Sequence, residues 1–130
     1  MKSKLRDIAK LARAKCEKVN NKHKLFPDTL DGMCGIASAY LFNQLKKHKL
    51  NPTLAENHGH CFVLCGGYVI DITASQFGFR RVVIEEKEEL RGDGWWKIEN
   101  KFRSLKRFNT HQKKTWPKFQ HYKIVEHLFK

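Results

Sequence analysis

Gly66-Gly67 stands between two runs that are apolar at almost every position, His60-Cys61-Phe62-Val63-Leu64-Cys65 and Tyr68-Val69-Ile70-Asp71-Ile72-Thr73. Paired glycines between two such runs read as a two-residue hairpin turn, where both central residues need positive φ. Strands that are apolar on both faces must be covered on both, so this hairpin belongs inside a sheet. The rest of the chain has to supply the covers.

Pairing through the turn sets Cys65 opposite Tyr68, Phe62 opposite Asp71 and His60 opposite Thr73. Alternation then puts His60, Phe62, Asp71 and Thr73 on one face. His60 and Asp71 become diagonal neighbours about 7–8 Å apart at the backbone, within reach of an imidazole and a carboxylate. A charged aspartate inside an apolar strand is costly without a partner. Histidine answers that need, because Asp71 can fix its tautomer and stabilise the imidazolium.

The covers are readable upstream. Leu5, Ile8, Ala12, Cys16 and Val19 recur at steps of three or four, which predicts a helix over about 3–20 with Lys and Arg on its outer face. Cys16 falls on the apolar side as a packing residue. Asn20-Asn21 is expected to end this helix, and Phe26-Pro27-Asp28 to turn the chain. A second helical pattern follows, Ile36, Ala37, Tyr40, Leu41 and Leu45, with Asp31 as its expected N-cap and an end near Lys47. Cys34 then lies in the first turn, where free backbone N–H groups and the helix dipole favour a thiolate.

Past the break at Asn51-Pro52, residues 53–56 fit a short strand. Another is expected at Val82-Val83-Ile84, and Gly92-Asp93-Gly94 reads as a loop. Ile98, Phe102, Leu105 and Phe108 suggest a basic third helix. The last stretch carries two patterns, and the alternation at Tyr122-Lys123-Ile124 favours a strand.

Cys34, His60 and Asp71 are the three parts of a thiol acyl-transfer site: a nucleophile, a general base and acid, and a group that orients the histidine. The backbone N–H of Cys34 is the natural first oxyanion donor. Gln76 and Asn57 are candidate second donors or substrate contacts, and either also reads as an ordinary loop or strand-end residue. His58 shares the strand parity of His60 but lies further from the turn. A zinc site through Cys61 and Cys65 fails on reach, since residues four apart on a strand stand about 13 Å apart and a Zn–S bond is about 2.3 Å. A metal held by His58, His60 and Asp71 is geometrically allowed, but the reading adopted has no metal and no cofactor. Trp95, Trp96 and Trp116 read first as core or interface aromatics.

At this point the sequence resembles a known family. The run Gly32-Met33-Cys34-Gly35-Ile36-Ala37-Ser38, then Gly59-His60-Cys61-Phe62-Val63 and Tyr68-Val69-Ile70-Asp71-Ile72-Thr73, is similar to the papain-like fold in its transglutaminase-like branch. The short hairpin between His60 and Asp71 looks most like small bacterial and phage members related to leader peptidases of lasso peptides. One departure is Phe62, where many transglutaminase-like enzymes carry an aromatic, often Trp. The resemblance implies an α+β fold, with N-terminal helices and the nucleophile helix packed on an antiparallel sheet. It also implies a cysteine peptidase, deamidase or transamidase acting on a peptide or protein amide.

Composition sets the remaining expectations. A length of 130 residues suits one domain, with a core over about 30–86, a basic helical segment at 1–25 and a basic aromatic segment at 95–130. No apolar run nears the roughly 18 residues of a membrane span, and the charged start lacks the apolar stretch of a leader. The expectation is therefore a cytoplasmic chain with its four cysteines reduced. The net charge of +13 is uneven: +6 over 1–30, −1 over 31–94 and +8 over 95–130. Ends of this kind suit an acidic protein or a nucleic acid. The alternative to the enzyme is thus a catalytically silent basic binding module on the same scaffold. The sequence leaves oligomeric state open.

Overall fold

The computed structural model describes residues 1–57, 60–87, 96–115 and 126–129. It is an α+β arrangement with α1 (Lys2–His23), α2 (Cys34–Lys47), β1 (Thr53–Asn57), β2 (His60–Cys65), β3 (Tyr68–Asp71), β4 (Val83–Glu86), β5 (Asn100–Phe102) and α3 (Leu105–Thr115). The strands form one antiparallel sheet in the order β4-β3-β2-β1-β5. No helix among the described residues is long and apolar enough to cross a membrane.

The hairpin takes the expected register, with Cys65 opposite Tyr68, Leu64 opposite Val69 and Val63 opposite Ile70. Gly66 and Gly67 both sit at positive φ, 60° and 83°. β2 and β3 lie in the middle of the sheet, as strands apolar on both faces must. One face meets the helices: Leu54, Cys61, Val63, Cys65, Ile70 and Ile84 join Leu5, Ile8, Cys16, Ile36, Leu41, Phe42 and Leu45 in the larger core. The other face carries a smaller cluster of Ala55, Phe62, Val69, Ala74, Val83 and Trp96.

Four local details differ from the sequence expectation. First, α1 runs through Asn20-Asn21 and ends at Lys24, which takes a left-handed conformation. Asn20 is buried and its side chain clamps the following turn: Oδ1 accepts from Phe26 N at 2.7 Å, and Nδ2 donates to the Phe26 carbonyl at 2.9 Å and the Pro27 carbonyl at 3.2 Å. Second, Asp31 does not cap α2. Leu30 and Gly32 are left-handed, Met33 occupies the cap position without a side-chain bond, and Cys34 is the first helical residue.

Third, β3 stops at Asp71. The N–H of Thr73 donates to Asp71 Oδ1 at 2.9 Å, which turns the chain into a 3₁₀ segment, Ala74–Phe77. Fourth, the third helix begins at Leu105 rather than near Ile98, because Asn100–Phe102 instead pairs with the free edge of β1. Ser104 then accepts the Arg107 N–H on its hydroxyl at 3.3 Å and starts the helix. The expected loop at 92–94 and strand at 122–124, and the residues His58, Trp95 and Trp116, lie outside the described residues.

Candidate active site

β2 opens with His60, whose side chain is buried. Its Nε2–H donates to Asp71 Oδ2 at 2.5 Å. Asp71 ends β3 and is also buried. Its carboxylate accepts two further N–H donors: Thr73 N at Oδ1, and the Trp96 indole at Oδ2 at 2.9 Å. The Thr73 hydroxyl approaches Oδ1 at 3.4 Å. Each oxygen of the carboxylate thus has donors, which offsets the cost of burying it in an apolar layer.

The imidazole is held on its faces as well. Phe62 stacks at 5.9 Å between centroids, and Phe77 meets the ring edge-on at 4.9 Å. Nδ1, the nitrogen not bonded to Asp71, is buried with no conventional hydrogen-bond partner. The group left to act on it is the thiol of Cys34.

Cys34 is half-buried at the start of α2, which packs across β2 and β1. Its thiol lies against the first two residues of β2. Hydrogen bonding to the Cys61 thiol lowers its pKa most and burial opposes this. Bonding and charge attraction from His60 take it further down, from 9.0 to about 5. His60 moves the opposite way. Burial alone depresses it, but the bonds to Asp71 and Cys34 outweigh burial and lift it from 6.5 to about 10. The two shifts describe one pair, a thiolate beside an imidazolium.

The other cysteines behave differently. The bond to Cys34 and burial push the Cys61 thiol well up. Burial takes Cys16 to about 12 and also raises Cys65. All four are free thiols. Among the described residues, no group of three or more His, Cys, Asp or Glu is placed to hold a metal ion.

Of the two further residues named from sequence, Gln76 lies at the site and Asn57 serves as a tether. Gln76 Oε1 accepts from Gly32 N at 3.3 Å, two residues before Cys34, while its Nε2 is buried with no hydrogen-bond partner. Asn57 closes β1 opposite His60, and its Nδ2 donates to the Lys97 carbonyl at 3.2 Å.

Three participants were not anticipated. Trp96 supplies a donor to Asp71; the available signal was that a buried indole needs an N–H partner. Cys61 donates to the thiolate because it is next to His60 in a strand and faces α2. Arg13, buried on α1, donates through Nη1 to the Ile72 carbonyl and Ser75 Oγ, both at 2.8 Å. Ser75 in turn donates to the Thr29 carbonyl at 3.0 Å, so α1 ties the loop after Asp71 to the loop before Cys34.

Searches against protein families, curated proteins and solved structures find no match to this chain.

Proposed function

We propose that the chain is a thiol-dependent amide hydrolase or acyltransferase with Cys34 as nucleophile, His60 as general acid and base, and Asp71 as the group that orients His60. The observation that carries this reading is the position of His60. Its Nε2 is bound to a buried carboxylate, and its Nδ1 is left for a thiol whose pKa is depressed to about 5. The Cys-on-helix, His-and-Asp-on-strands plan also supports a papain-like, transglutaminase-like scaffold of peptidase, deamidase or transamidase type.

The chemistry follows from the placement. The Cys34 thiolate attacks a carbonyl carbon and the oxygen takes up negative charge. The backbone N–H of Cys34, in the first turn of α2, and the buried Nε2 of Gln76, which has no hydrogen-bond partner, are the two donors for that oxygen. Imidazolium at His60 gives its proton to the departing amine as the C–N bond breaks, leaving a thioester on Cys34. His60, now neutral, takes a proton from water or an acceptor amine as it attacks the thioester, and the thiolate is restored. Water gives hydrolysis and an amine gives transfer.

Limiting iodoacetamide near pH 6 followed by mass mapping tests the assignment. Cys34 is expected to label first, with Cys16, Cys61 and Cys65 following only on unfolding. His60→Ala is expected to slow Cys34 labelling at neutral pH. Equal labelling of all four thiols, or labelling of Cys34 only in denaturant, rejects the reading. A binding module without chemistry is the second reading, and the cation-rich surface described next favours it; the two can coexist in one chain.

A further inference from the structure

We propose that the surface formed by β5 and the outer side of α3 binds the phosphodiester backbone of a nucleic acid. The site is independent of Cys34 and of the chemistry proposed for it.

Two clefts adjoin here and share Arg107. One, of about 520 Å³, is lined by Thr53, Leu64, Lys101, Phe102, Arg103, Ser104 and Arg107. The other, of about 360 Å³, is lined by Lys106, Arg107, Thr110, His111 and Lys114. Lys101, Arg103, Lys106, Arg107 and Lys114 are all exposed, and none forms an ion pair with a described residue. Over residues 96–115 there are seven Lys or Arg against the single acid Glu99.

The local fold explains why the charge stays outward. Phe108 and Gln112 face inward and are buried, and His111 and Gln112 both reach Glu56 on β1, at 2.5 and 2.8 Å. That inner stripe docks α3 on the sheet. Arg107 and Lys114 are left exposed along the flank of that stripe, with Arg103 just before the helix; the 11 residues of α3 span about 16 Å at 1.5 Å per residue.

The lining favours nucleic acid over an acidic protein. Protein interfaces draw their affinity from buried aromatic and apolar anchors seated in pockets. Here the apolar contribution is small: Phe102 is half-buried and already packed against Phe108 and His111, at 5.6 and 5.0 Å. What the strip offers is Lys and Arg interleaved with the hydroxyls of Ser104 and Thr110, the side-chain types that contact phosphate and sugar. One DNA strand carries a phosphate about every 3.4 Å of axis, so the strip spans roughly four or five.

The test is fluorescence anisotropy of the full chain with a labelled mixed-sequence oligonucleotide, single-stranded and as a duplex, between about 50 and 200 mM salt. Binding is expected at the low end and should fall steeply across the range. Arg103→Glu with Arg107→Glu is expected to weaken it about tenfold or more and to flatten the salt dependence. Lys10→Glu with Lys18→Glu changes net charge equally on the exposed side of α1 and is expected to weaken it far less. Arg103→Lys with Arg107→Lys should retain binding, as should Cys34→Ala. Circular dichroism checks each fold; if the glutamate pair fails to fold, Arg107→Gln takes its place. No binding at low salt overturns the proposal. So does equal loss in the α1 control, or displacement by polyglutamate as efficient, charge for charge, as by unlabelled nucleic acid.

Discussion

Trp96 donates its indole N–H to Asp71 Oδ2, the oxygen that also receives His60 Nε2–H. One carboxylate oxygen thus holds an imidazole from β2 and an indole that approaches from 25 residues further along the chain. Asp71 is not a bare charge in the core; it is the point where three segments are fastened. The consequences can be measured at several residues.

Trp96→Phe keeps an aromatic ring beside Phe79, where the centroids stand 4.9 Å apart, and removes the N–H together with part of the indole bicycle. The expected cost is about 1.5–3 kcal/mol, that of a hydrogen bond to a charged group. Trp96→Ala, which also empties the space, should cost about 3–5 kcal/mol. Urea unfolding with an unchanged m-value reads both. A Phe variant as stable as the parent shows that the indole bond contributes nothing.

The thiolate–imidazolium pair gives stability a defined pH profile. The Cys34 pKa is depressed, from 9.0 to about 5, so its contribution is complete above the unfolded value and is lost as pH falls through about 5. The His60 pKa is raised, from 6.5 to about 10, so its contribution is complete below 6.5 and is lost as pH rises through about 10. The pair therefore stabilises most between about 6.5 and 9. Melting temperatures of the parent and of Cys34→Ser, compared across pH, should differ most in that window and converge toward acid. A pH-independent difference means the pair is neutral in the folded state.

In the proposed mechanism, a Gln76 variant distinguishes loss of the Cys34 thiolate from loss of an oxyanion donor. Alkylation of Cys34 forms no oxyanion, so Gln76→Ala should leave the iodoacetamide rate near the parent's. Turnover of an activated amide should fall about 10²–10³-fold, the usual effect of one lost oxyanion donor. Equal turnover in the variant removes Gln76 from the site; parallel loss of labelling and turnover makes its role structural.

Arg13 is bound by its guanidinium fork to Glu17, the Ile72 carbonyl and Ser75 Oγ at once. Lysine retains the charge without the fork, so Arg13→Lys leaves at least one buried acceptor unmet. A loss of about 1–3 kcal/mol is expected in thermal or chemical unfolding. Cys34 labelling should slow with it, because the same bonds run through Ser75 to Thr29. A lysine variant with full stability and parent-like labelling shows that the fork carries neither.

The hairpin was legible because two constraints coincided there: paired glycines fixed the turn, and period-two alternation fixed the faces. His60 and Asp71 came with it, since parity alone puts them on one side. β5 was hidden because Phe102 fits the helical spacing of Ile98, Leu105 and Phe108, and a three-residue strand has too little alternation to compete. What settles it is the unpaired edge of β1, which a linear reading does not see. The end of β3 was missed for a related reason. Local propensity favours extending Ile72-Thr73, but a side chain two residues back captures the amide that the ladder needed. Asp31 had the right chemistry for a cap, but the left-handed Leu30 and Gly32 carry the chain round before the helix begins.

The Thr73, His60 and Trp96 donors lie 2, 11 and 25 residues from Asp71 in sequence. During synthesis, the first two are available as soon as the hairpin forms, and the third only when a much later segment has emerged. A nascent chain stopped short of Trp96 has its carboxylate only partly satisfied, and its second apolar layer lacks the residue that covers it. Of the three donors, the Trp96 indole is therefore the last to reach Asp71 as the chain is made.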